Sequence, residues 1–204
     1  MYLSKEEWLE KNRQNDDTEN RLLELAYTTL MNNVYEPEGY PWSPYRCISP
    51  GRKLPGTNGS FTGVWNWDSA FHAVGVSRWD TALAREALLG FMQYQREDGL
   101  FPDVMFENGK LVNEFSKPPV LAWACVTVYK RDKDIDFLKK VYPMFVKNEE
   151  YWVKNRTVGG LLHYDSDDKE SPDYELHVRY ESGWDNSVRW DKSIADMWAV
   201  DLNC

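Results

Sequence analysis

Cysteine is scarce in this chain of 204 residues: Cys47, Cys125 and Cys204 are odd in number and far apart. Without a Cys-x-x-Cys pair, structural zinc and a disulfide framework are excluded as organising devices, and reduced, buried thiols are expected. Positive charge is also short, with 24 Lys and Arg against 33 Asp and Glu, a net charge of −9. That balance argues against nucleic acid, which needs a basic surface, and against anionic membrane surfaces. No apolar run approaches the roughly 20 residues of a membrane span. The start, Met1-Tyr2-Leu3-Ser4-Lys5-Glu6-Glu7, lacks the apolar core of a secretion signal, so a cytoplasmic protein is expected. Histidine is limited to His72, His163 and His177, at no metal-ligand spacing, and no nucleophile-elbow pattern occurs. The acidic run Asp165-Ser166-Asp167-Asp168-Lys169-Glu170 lacks the Gly and terminal Glu of a calcium loop and reads as a solvated loop. No metal and no cofactor are expected.

Aromatic residues, by contrast, are plentiful: ten Trp, twelve Tyr and eight Phe. Most are expected in the core. A minority suit the lining of a carbohydrate site, because the C–H faces of a sugar ring pack on indole and phenol planes.

Helix signals dominate the pattern. Ser4-x-x-Glu7 reads as a capping box ahead of Trp8 and Leu9. Leu22, Leu23, Leu25, Ala26, Leu30 and Met31 recur at helical spacing, with Asp16, Asp17 or Thr18 as cap. Asp80 is placed to cap a helix through Leu83, Ala87, Leu88 and Phe91. Pro118 and Pro119 stand at a helix start ahead of Leu121, and Asp134 or Asp136 opens a helix through Leu138, Val141, Phe145 and Trp152. Residues 34–63 form a long loop, and short β pieces are expected near 100–113 and 160–165. A weak repeat aligns Gly99-Leu100-Phe101 with Gly160-Leu161-Leu162, each after a long amphipathic helix and each followed by a polar loop and a helix start. Helical hairpins repeated in this way stack into a toroid with the loops at one end.

Three helix starts carry the unusual residues. In Trp65-Asn66-Trp67-Asp68, extended backbone would put both indoles on one side. Asp68 is then either a sugar ligand or merely the cap of the next helix. In Glu181-Ser182-Gly183-Trp184-Asp185-Asn186-Ser187-Val188-Arg189-Trp190-Asp191, carboxylates, indoles and small polar groups crowd together. Asp185 is either the N-cap of a helix from Ser187 to Val200 or a carboxyl held protonated for acid catalysis. The second role needs burial and nearby negative charge, from Trp184 and Trp190 and from Glu181 and Asp191, with Arg189 opposing.

Together with Asp98-Gly99-Leu100-Phe101-Pro102 and Ser116-Lys117-Pro118-Pro119, these motifs resemble glycoside hydrolase family 63, in particular its mannosylglycerate-hydrolase-like and processing α-glucosidase-like members. The last motif also resembles family 37 trehalases of the same clan. The resemblance runs from about Pro44 to the end of the chain. It implies an all-α (α/α)6 toroid and hydrolysis of an α-glycosidic bond with inversion, on an oligosaccharide or small α-glycoside. It makes Asp185 the general acid and implies substrate contacts from Trp65, Trp67, Asp68, Lys117, Glu181, Gly183 and Trp184. Where the family often has Gln, this chain has Lys117, a cation suited to an acidic aglycone. Where trehalases carry an aromatic residue after the acid, it has Asn186, which favours family 63.

The family's general base is a Glu in the C-terminal half of the toroid, and six or seven helices make about half of one. Residues 1–204 are therefore expected to be the N-terminal portion of one catalytic domain, a fragment that pairs with its missing half or self-associates. A noncatalytic sugar-binding or partner-assembled half-domain is the alternative.

Overall fold

The computed structural model describes residues 1–51, 61–190 and 199–203. Among them run seven α-helices: α1 (Lys5–Lys11), α2 (Asp17–Asn32), α3 (Asn66–Val76), α4 (Thr81–Met92), α5 (Leu121–Asp132), α6 (Ile135–Asn155) and α7 (Tyr174–Ser182). Local chemistry explains most of the starts. The Ser4 and Glu7 side chains form the reciprocal capping box of α1. Asp16 accepts from the amides of Thr18 and Glu19, Asp80 from Leu83 at 2.9 Å, and Asp134 from Phe137 at 3.0 Å. Pro118 and Pro119 stand just outside α5, whose cap position is Val120.

Between α2 and α3 the chain is more ordered than a plain loop. Strand β1 (Val34–Tyr35) pairs antiparallel with β2 (Cys47–Ile48). Trp42 fills the space beneath them, fully buried and stacked on Tyr40 at 4.8 Å. Strands β3 (Gly63–Trp65), β4 (Val104–Phe106) and β5 (Leu111–Val112) form a small antiparallel sheet, and β6 (Thr157–Val158) and β7 (Leu161–Leu162) a hairpin. Both expected β regions are present.

The core sits where α3, α4 and α5 meet. α3 turns in Ala70, Ala73 and Val76, α4 turns in Leu83, Ala84, Ala87, Leu88 and Phe91, and α5 turns in Leu121, Ala124, Cys125 and Val128. This is the spacing of one helical face. Small residues let the helices approach closely. A Cβ at Gly90 would overlap the Cys47 sulfur and press on Tyr45 at 3.1 Å. Cys47 and Cys125 are both buried, and Cys125 lies 3.9 Å from the Met92 sulfur. At the amino end, Trp8, Tyr27 and Trp79 cluster with ring centroids 4.7 to 5.8 Å apart. The hairpins α3–α4 and α5–α6 follow one another, with α3 against α5, as successive units of an (α/α) toroid of which this chain supplies a part.

The suspected repeat is only partial. Gly99, at φ +106°, lets its loop press on the Lys147 backbone and leaves Leu100 and Phe101 buried. Gly160 instead turns the β6–β7 hairpin, and Leu161 after it is exposed.

Candidate functional site

Four sequence motifs converge through one buried asparagine. Asn66, in the first turn of α3, donates its backbone amide to the Asp103 carbonyl at 2.9 Å. Its side-chain amide donates to the Pro102 carbonyl at 2.7 Å and to Ser116 Oγ at 3.2 Å. Ser116 in turn donates its amide to Glu181 Oε1 at 3.1 Å. The fourth link is steric. Gly183 ends α7 at φ +70°, and a Cβ there would overlap the indole of Trp67. Only glycine meets both conditions, the left-handed backbone and the space.

A cavity of about 520 Å³ opens at this junction, lined among others by Phe61, Trp65, Asp103, Lys117, Tyr180 and Asp185. The Lys117 ammonium is its central charge. It lies 3.5 Å from Asp103 Oδ1 and 3.9 Å from Asp185 Oδ1, donates to the Tyr180 carbonyl, and sits 5.6 Å from the centroid of the Tyr180 ring. These separations are ion pairing rather than formed hydrogen bonds. Among the described residues, no hydrogen bond reaches either Oδ1 atom, although both atoms are buried. Orphaned buried polar atoms are uncommon and mark places where a ligand, water or chemistry belongs. Burial pushes the Asp103 carboxyl up to about 7, with Asp185 and Asp68 adding to the rise and Lys117 opposing it. Burial also raises Asp68, against the pull of His72 and Lys117.

The expected site residues divide on this map. Trp65, Lys117 and Asp185 share the cavity. Trp67 and Asp68 stand beside it on α3, joined to it through Gly183 and through the charges of Lys117 and Asp103. The two indoles do not share a side, because the chain turns helical at Asn66. Trp65 packs edge-on to Phe106, while Trp67 leans on Phe71. Asp68 lies in the first turn of α3 and is not its cap; that position belongs to Trp65, which makes no side-chain cap bond. Trp184 is half exposed, and its carbonyl accepts from the buried Trp190 indole at 2.6 Å. The helix expected from Ser187 begins as a 3-10 turn, Val188–Trp190, and residues 191–198 lie outside the described residues.

Glu181 needs correction. It is fully buried, accepts from Arg156 Nε at 3.0 Å and Arg156 Nη2 at 3.1 Å, and takes the amides of Ser116 and Asp165. A carboxylate so enclosed does not reach a substrate; it ties α7 to the end of α6. The acidic run from Asp165 is a solvated loop only in its later part. Asp165 and Ser166 are buried, Asp167 is exposed but accepts from Arg96, Tyr151 and Arg156 at 2.6, 2.6 and 3.0 Å, and Asp168, Lys169 and Glu170 are exposed.

Asp103 and Asn66 are the functional candidates that sequence reasoning missed. Asn66 was visible inside an already suspect motif. Asp103 followed Phe101-Pro102 with no local sign that burial awaited it.

The profile of the mannosylglycerate hydrolase MGH1-like glycoside hydrolase domain matches residues 62–200. This chain belongs to that family. Mannosylglycerate hydrolase MGH1 of Selaginella moellendorffii is 23% identical over 174 residues, covering 74% of this chain and 33% of the relative. The mannosylglycerate hydrolase of Thermus thermophilus is 26% identical over 160 residues, or 68% of this chain and 36% of its own. A trehalase of Bombyx mori is 28% identical over 177 residues, or 70% and 29%. A solved structure of an uncharacterized conserved protein, also from Thermus thermophilus, superposes with a TM-score of 0.57 at 25% identity, covering 82% of this chain and 38% of that one. The chain thus spans about a third of the length of the curated relatives it matches. Among the described residues, no helix is long and apolar enough to cross a membrane.

Proposed function

We propose that this chain supplies the acid half of an inverting α-glycosidase site acting on a small α-mannoside or α-glucoside, with Asp185 as general acid. The carrying observation is the convergence at Asp185. Asp185, whose buried Oδ1 accepts no hydrogen bond among the described residues and lies 3.9 Å from the Lys117 ammonium, lines a cavity flanked by an indole and two further carboxylates, with Trp67 and Asp68 beside it. Flat aromatic faces seat a sugar ring, Asp68 is free of capping duty to take its hydroxyls, and Asp185 stands at the cavity wall to protonate a leaving oxygen. Inversion requires a second carboxylate across the ring, about 6.5–9.5 Å from the first, to activate water. We assign that base to a Glu outside these 204 residues. Relatives named for mannosylglycerate and glucosylglycerate hydrolysis support a glycerate-bearing substrate over trehalose, although a trehalase is among the relatives.

In the protein that carries this chain, Asp185→Asn should abolish turnover of aryl α-glycosides while sugar binding, read by calorimetry, persists. Undiminished turnover would sink the assignment. Proton NMR of the first product released should show the β-anomer. The isolated 204-residue chain should bind sugar without turnover, and catalysis by it would place the base within this chain.

A further inference from the structure

Beneath Asp185 lies a charged pair that the proposed chemistry does not yet use. We propose that Asp103 is a positioning residue for Asp185: it anchors the Lys117 ammonium, and the anchored ammonium holds Asp185 Oδ1, so that the three groups share charge as one unit. This rests on Asp185 being the acid of the site.

The geometry carries the inference. Asp103 is fixed by its backbone, donating its amide to the Val112 carbonyl at 2.8 Å and accepting from the Asn66 amide at 2.9 Å. Its side chain is 6% exposed, enclosed beside Lys117. The Lys117 side chain is 7% exposed, and one of its three N–H donors is spent on the Tyr180 carbonyl. The remaining donors face two carboxylates, at 3.5 and 3.9 Å. Asp185 is the more exposed partner, with a side chain 44% exposed and set on the short turn after Gly183. Without the ammonium, nothing among the described residues holds its inner oxygen. Lys117 thus lines the cavity with its ammonium already shared between two carboxylates, which leaves less of its charge for an acidic aglycone.

The surrounding charges fit a shared unit. Asp68 and His72 face it from α3, while Lys110, Asp173, His177 and Tyr180 line the same cavity. Glu181, next along α7, is neutralised by Arg156. Burial raises both Asp103 and Asp68 above the ordinary carboxylate range, and the Lys117 ammonium opposes the rise at each. Asp103 is the member that burial pushes up to about 7, pulled down by Lys117 and pushed further up by Asp185 and Asp68.

The test is a carbon-13 carboxyl NMR titration of the 204-residue chain, with the Asp103 signal identified as the one lost in Asp103→Asn. The wild-type midpoint should fall near 7. Lys117→Gln should raise it by about one unit or more, and Asp185→Asn should lower it. Movements of opposite sign are the signature of shared charge, which a merely structural role would not produce. An Asp103 midpoint in the ordinary carboxylate range, or no response to either substitution, or movement in one direction for both, overturns the proposal. Should Asp103→Asn fail to fold, through-bond assignment of Asp103 replaces it, and the other two variants decide. The readout needs no turnover. Failure of Asp185 as acid would appear in kinetics, and failure of the shared unit would appear here.

Discussion

Glu181 and Asp185 belong to one short segment, yet their surroundings are opposite. Glu181 is saturated: a guanidinium grips both its oxygens and two backbone amides complete the shell. Asp185 and its neighbour Asp103 are starved, with buried oxygens that no hydrogen bond reaches among the described residues. Asp167, at the edge of the first cluster, is held below the usual carboxylate range because Tyr151 and Arg156 outweigh its burial. Asp103, in the second, is driven above that range because burial outweighs Lys117. A saturated buried charge braces a fold; an unsatisfied one stores readiness for a proton or a ligand. The same residue type therefore does scaffold work on one side of Gly183 and faces a cavity on the other.

Breaking the saturated cluster should cost most. Arg156→Leu leaves Glu181 buried and unpaired, and urea denaturation should show a loss of about 3–5 kcal/mol. A loss below about 1 kcal/mol would mean the cluster is no brace. Gly183→Ala comes next. It strains a left-handed position and drives a methyl into the Trp67 ring, for a loss of about 1–3 kcal/mol and a changed tryptophan emission. An unshifted emission spectrum would show that the two motifs do not touch.

Asp103→Asn should be the mildest and opposite in sign. Near 7, the folded value of Asp103 lies above the roughly 4 of an unfolded aspartate, so between those pH values the folded chain keeps a proton that the unfolded chain releases. Its contribution to stability therefore falls as pH rises from about 4 to 7 and levels off above. The asparagine variant should match or exceed the wild type in denaturation at pH 8, with part of that pH slope removed. Marked destabilisation at pH 8 would place Asp103 with the scaffold cluster instead.

How far the sequence could be read follows from contact range. The caps Ser4, Asp16, Asp80 and Asp134 act within three residues of themselves, so local pattern sufficed for them. The toroid units were legible from helical spacing and from the resemblance. Glu181 was misread because its polarity looked local, while its partner Arg156 arrives from the far end of α6. Asp103 was overlooked for the same reason. Its character comes from burial against Lys117, a pairing that local pattern does not reveal. The split of Trp65 from Trp67 depended on where a strand gives way to a helix, and nothing in that motif marks Asn66 as the changeover.

The two core thiols carry a separate consequence. Cys47 lies against Gly90 and Cys125 beside Met92, so both sit under α4, and burial pushes both well above a thiol's ordinary range. An alkylating reagent can meet them only when the core opens. In a Cys204→Ser background, the rate of their modification becomes a built-in clock for that opening, with no reporter residue introduced.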